Sequence, residues 1–92
     1  MGRGKRIRPA RLGEKLLAIR QHFDLTLEQM AEKLSTEDFS LRRQAVSQYE
    51  LDDNEPPLPV LLKYARMAGI TIDVLADDKV DLSDHFPKKL LD

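Results

Sequence analysis

Residues 25–50 constrain this chain more than any other stretch. Leu25 to Leu34 reads Leu-Thr-Leu-Glu-Gln-Met-Ala-Glu-Lys-Leu, a polar bridge follows, and Arg42 to Glu50 reads Arg-Arg-Gln-Ala-Val-Ser-Gln-Tyr-Glu. Thr26 is a favourable helix N-cap, and Gln29 three residues later completes a capping box. The pattern predicts a helix over 27–34 with Met30, Ala31 and Leu34 facing a core. The small side chain of Ala31 lets a second helix approach closely. That second helix is predicted over 42–50, with Val46 as its buried anchor and Leu41 and Tyr49 beside it. Its other face carries Arg42, Arg43, Gln44, Ser47 and Gln48.

The rest of the chain supplies the helices that such a pair needs. Residues 1–8 hold two glycines and four cations, Arg3, Lys5, Arg6 and Arg8, and read as a flexible basic arm. Pro9 suits a first helical position, so a first helix is expected over 9–22. Leu12, Leu16, Ile19 and Phe23 form its buried stripe, widened by Leu17. Acids, Asn54 and two prolines make 51–57 a loop. A helix over 58–68 should bury Leu58, Leu61, Leu62 and Ala65, with Gly69 ending it. A short helix over 71–75 closes the core with Ile72 and Leu75, and Ile70 packs inward. Residues 77–92 alternate acids with Val80, Leu82, Phe86 and Leu90, and Pro87 breaks any period. They read as an extended acidic tail. The expected division is therefore an arm over 1–8, a helical domain over 9–76 and a tail over 77–92.

Ninety-two residues make one small domain. Aromatics are 5% of the chain, so the core must be largely aliphatic. The chain has no cysteine, which removes disulfides and thiolate zinc sites and fits a cytoplasmic protein. No apolar run approaches the ~20 residues that span a bilayer. The net charge is −1, yet the charge is polarised along the chain. Residues 1–11 carry five cations and no acid, whereas residues 73–92 carry six aspartates against three lysines.

The outer face of the 42–50 helix suggests chemistry. Gln44 and Gln48 lie one turn apart and share a face. Glutamine matches adenine N6 and N7, and Arg43 matches guanine O6 and N7. The competing reading is a solvated polar face. Arg42 and Arg43 oppose the helix dipole, so they need either a phosphate or a pairing with Glu37 or Asp38. The arm could follow the minor groove or the phosphate backbone, or serve as a solubilising tail. Glu50, Asp52, Asp53 and Glu55 place four acids near the same helix, where they would repel phosphates at close range.

His22 and His85 have no local ligand partner, and Asp52 to Glu55 lacks the glycine and spacing of a calcium loop. Asp77, Asp78, Asp81 and Asp84 read as a solvated group. No nucleophile with a base and no cofactor fingerprint is present, so no metal, no cofactor and no enzymatic activity are expected.

Over 11–76 the chain resembles the XRE, Cro and phage-repressor-like helix-turn-helix family. Thr26 to Leu34 is similar to the first motif helix, and Ala45-Val-Ser-Gln-Tyr-Glu50 to the recognition helix. Pro56, Leu58, Leu61, Leu62, Ala65, Gly69, Ile70 and Leu75 follow in the same register. The resemblance implies an all-α, compact five-helix lambda-repressor-like domain that binds double-stranded DNA, usually as a homodimer. It implies that Arg43, Gln44, Ser47 and Gln48 meet bases or phosphates, that Thr26 meets the backbone, and that Arg20 pairs with Glu50. The chain departs from the family pattern in a bridge about five residues longer through 36–40, in Leu27, and in the acidic loop. The expected function is that of a sequence-specific DNA-binding transcriptional regulator acting as a repressor. The alternatives are a protein-interaction module on the same fold, or an antitoxin that adds a protein partner at the C-terminal tail.

Overall fold

The computed structural model describes residues 9–85. Five helices, α1 (Leu12–His22), α2 (Leu27–Leu34), α3 (Arg43–Glu50), α4 (Leu58–Ala68) and α5 (Ile72–Ala76), are followed by a single 3-10 turn, Leu82–Asp84. Among the described residues the only β pairing is an isolated bridge between Thr36 and Phe39. The all-α class and the number of helices agree with the sequence reading.

One core joins all five helices. Leu12, Leu16 and Ile19 of α1 meet Met30, Ala31 and Leu34 of α2 and Val46 and Tyr49 of α3. Val60, Leu61, Tyr64, Ala65 and Ala68 of α4, with Val74 and Leu75 of α5, close it. Each fully buried aliphatic side chain contributes roughly 1.5–3 kcal/mol of transfer free energy. Burial raises the pKa of the Tyr64 phenol, and the Glu50 charge adds to the shift.

Four expected core positions lie elsewhere, Leu17 among them, which is only partly buried. Phe23 is 39% exposed because it follows the last turn of α1, where the stripe no longer faces inward. Leu58 is 65% exposed because it opens α4 on the outer side, and Val60 and Tyr64 take the inward positions. Leu62 is only partly buried.

The two long helices end alike. Gly69 has φ 72° and Asp24 has φ 57°, both left-handed. Ile70 N donates to Ala65 O and Leu25 N donates to Arg20 O across the respective ends, the 6→1 closure of a Schellman motif.

The start of α1 and the acidic segment depart from expectation together. Helix α1 begins at Leu12 rather than at residue 9, and the Asp78 carboxylate takes the N–H groups of Ala10 and Arg11 just ahead of it at 2.9 and 3.0 Å. The Arg11 guanidinium donates to Asp78 O and pairs with Asp81, each at 2.9 Å. Leu82 is buried and Val80 packs against the core. Residues 77–85 are therefore docked on the helices and are not an extended solvated tail.

Candidate nucleic-acid interface

The long bridge closes on itself. Thr36 and Phe39 exchange backbone hydrogen bonds at 2.7 and 3.2 Å, with Glu37 and Asp38 at the tip of the turn. Ser35 Oγ donates to Ala31 O at 2.8 Å and accepts from Leu41 N at 2.9 Å. One hydroxyl thus ties the chain after the insertion back to the last turn of α2. The extra residues form a side loop, and α2 and α3 still pack directly on each other through Ala31, Leu34 and Val46.

Arg20 of α1 fixes the pair from behind. Its Nε and Nη2 donate to the two Glu50 oxygens at 2.7 and 3.1 Å, and its Nη1 donates to Leu25 O at 2.9 Å. One guanidinium therefore holds the end of α3 and the residues entering α2. Its pKa is raised, first by the hydrogen bond that it donates to Glu50. At the start of α2, Thr26 Oγ1 accepts from Gln29 N at 3.0 Å and Gln29 Oε1 accepts from Thr26 N at 2.9 Å. This is the capping box, and it leaves the Thr26 hydroxyl proton available to an outside acceptor.

Val46 and Tyr49 turn the other side of α3 outward. Arg42 (at the N-cap position), Arg43, Gln44 and Gln48 are exposed, and Ser47 is half-buried. Neither Arg42 nor Arg43 pairs with Glu37 or Asp38 among the described residues. Arg3, Lys5, Arg6 and Arg8 lie outside the described residues.

The acidic loop is organised in a way that the sequence did not reveal. Asp52 has φ 62°, and its Oδ1 accepts from Gly13 N at 3.1 Å. Its carboxylate is thus committed to the N-terminal turn of α1, where the helix dipole favours an anion. A Cβ on Gly13 would lie 2.6 Å from Glu50 O and 2.8 Å from the Asp52 carboxylate oxygens. That glycine is the sequence signal for the close approach, since an isolated glycine in a helix stripe often marks one. Asp53 N and Asn54 N donate to Gln48 O at 2.9 and 3.3 Å. Asn54 Nδ2 also donates to Gln48 Oε1 at 2.8 Å.

Lys15 is the other residue that the sequence reading missed. It is 2% exposed, and its ammonium donates to Val74 O and Asp77 O at 2.8 and 2.9 Å. It supports the fold on the side of α5. No group of metal-ligating side chains occurs among the described residues, and no described helix is long and apolar enough to cross a membrane.

Comparison with curated proteins finds no match. A family model described as helix-turn-helix matches residues 16–75, from α1 into α5 and across the whole α2–α3 unit. The match covers well over half of the chain, which belongs to the XRE-type helix-turn-helix family and is a DNA-binding regulator of that type.

Proposed function

We propose that the protein is a sequence-specific transcriptional repressor that lays α3 in the major groove and braces α2 across the phosphate backbone. The observation that carries this reading is the outer face of α3. Arg42, Arg43 and Gln44 are exposed and make no side-chain hydrogen bond or ion pair among the described residues. These side chains suit guanine, adenine and phosphate acceptors. Cations at a helix N-terminus oppose its dipole, and a phosphate would offset that cost. The anchoring of the exposed Asp52 carboxylate at Gly13 N supports the same reading, because it holds that acid at the start of α1.

A single domain of this size offers few contacts, and specific sites usually demand more. The protein therefore acts as a homodimer, with two α3 helices about 34 Å apart on one side of the duplex. Thr26 contacts the backbone beside α2, and Arg3, Lys5, Arg6 and Arg8 add phosphate or minor-groove contacts. The cytoplasm is the compartment in which it works.

The test is fluorescence anisotropy against a random pool of labelled duplexes at about 50 and 200 mM salt, with the Gln44→Ala/Gln48→Ala double variant alongside. Enrichment of a two-fold sequence that the double variant loses is the expected result. A folded protein that binds no duplex at the lower salt would overturn the proposal.

A further inference from the structure

We infer that Asn54, a residue of the loop after α3, sets which hydrogen-bonding edge Gln48 presents to DNA. The inference rests on the reading that α3 contacts bases, and it changes the base that Gln48 should select. A free glutamine amide matches adenine with both of its groups, the oxygen accepting from N6 and the nitrogen donating to N7. Here the oxygen is engaged, because Asn54 Nδ2 donates to Gln48 Oε1 at 2.8 Å.

The loop is built to hold that contact. Asp52 adopts a left-handed conformation that turns the chain back, and its carboxylate is anchored to Gly13 N. The next two N–H groups, those of Asp53 and Asn54, both converge on Gln48 O. The Asn54 amide is thereby held over the last turn of α3 beside the Gln48 side chain. The Gln48 group left wholly free is Nε2, a donor only, while Oε1 keeps one of its two lone pairs. Guanine presents acceptors at both O6 and N7, and thymine presents O4. Adenine offers N7 alone, beside its amino group, and cytosine offers only an amino group. Gln48 held in this way should favour guanine, with two acceptors, over adenine or thymine, with one each, and over cytosine, with none, and its side chain is ordered before contact.

Two facing amides can bond in either sense, and substitution at Asn54 separates the two. Asn54→Ala releases the Gln48 oxygen and restores the bidentate match to adenine. Asn54→Asp can only accept, so it ties back Gln48 Nε2 and turns Oε1 outward, toward the amino groups of adenine and cytosine. The added charge in that variant lowers affinity for every sequence, whereas the change of ranking is specific to one position. Asn54 is exposed and does not occupy a left-handed conformation, so both variants should fold.

The experiment uses the selected duplex and its single-base-pair variants. The position under Gln48 is the one whose preference Gln48→Ala erases. At that position the wild-type protein is expected to prefer guanine by about threefold to tenfold, the value of one hydrogen bond gained or lost. Asn54→Ala and Asn54→Asp are expected to move the preference to adenine, and to adenine or cytosine, respectively. An unchanged ranking in Asn54→Ala, or adenine first in the wild type, overturns the inference while leaving DNA binding intact. A wild-type protein that binds no duplex removes the DNA reading and this inference together. A purely structural role for Asn54 would weaken all duplexes equally and would likewise overturn it.

Discussion

At the scale of single residues, two cations, the buried Lys15 and the partly buried Arg20, hold the framework by different means. Lys15 reaches across the core so that its ammonium meets Val74 O and Asp77 O at the end of α5. A cation at a helix C-terminus complements the dipole; Lys15 supplies the donor at Val74 O, while Asp77 O also accepts from Val80 N at 3.0 Å. Lys15→Met keeps the apolar stem and removes the donors. Its expected cost is about 1–3 kcal/mol, the cost of leaving the buried Val74 acceptor unsatisfied. Urea unfolding should show a lower midpoint with an unchanged slope. A loss below about 0.5 kcal/mol, typical of surface substitutions, would remove this role. Arg20 and Glu50 are a charge pair, with side chains 18% and 7% exposed. Glu50→Ala leaves the guanidinium without its bidentate partner. We expect a loss of about 2–4 kcal/mol, less than for a fully desolvated pair because Arg20 keeps some contact with water. DNA binding should fall in proportion to the folded fraction. A Glu50→Ala variant with a normal thermal midpoint and weakened binding would show that Glu50 acts on DNA directly.

At the scale of elements, the first turn of α1 is capped by carboxylates from two distant segments. Asp78 takes the N–H groups of Ala10 and Arg11, and Asp52 takes that of Gly13. The Asp78 carboxyl is held below its ordinary pKa of 3.8 by the backbone hydrogen bond from Ala10, then by that from Arg11. A lowered folded pKa means that the charged form is favoured by folding, so the contribution is complete above the unfolded value. It is lost as the pH falls from about 4 through the lowered folded value. The thermal midpoint of the wild type should therefore drop across that window, and Asp78→Asn should drop less. Equal drops would exclude Asp78 as a source of the acid sensitivity. Gly13→Ala should be destabilising by about 1–3 kcal/mol, in spite of the better helix propensity of alanine, because its Cβ would meet Glu50 O. Such long-range caps explain what was and was not legible in the sequence. The bounds of α2, the Thr26 box and the Gly69 stop were legible because their partners lie within one or two turns. Asp78, Asp52 and Lys15 find their partners 39 to 68 residues away, and no local pattern marks such a pairing. Leu58 and Phe23 were misplaced for a related reason: a stripe continues on paper beyond the turn where the helix ends or begins. On the candidate interface, the polar face of α3 was legible from periodicity, whereas the Asn54–Gln48 contact depends on how the loop folds back.

At the scale of the whole molecule, the charge distribution decides how binding should depend on salt. A net charge of −1 would predict weak attraction to a polyanion if the charge were evenly spread. Several acids are instead engaged within the fold, Asp78 by the N–H groups of Ala10 and Arg11, Asp81 by the Arg11 guanidinium and Glu50 by Arg20. The cations of the proposed interface stay uncommitted on α3, and four more precede Pro9. Each phosphate neutralised contributes about 0.9 to the slope of log K against log salt, through counterion release. If the arm contacts phosphates, replacing Arg3, Lys5, Arg6 and Arg8 by glutamine should flatten the slope by about 3–4 per chain. A dimer would show twice that change. Wild-type and variant affinities should converge as salt rises, since the lost attraction is the screened one. Base preference at the Gln44 position should stay the same, because the arm contributes charge and not base-edge contacts. Anisotropy titrations over about 50–300 mM salt measure the slope directly. Parallel lines for the two proteins would mean that the arm contributes no phosphate contact, and that the cations of α3 carry the electrostatic part of binding alone.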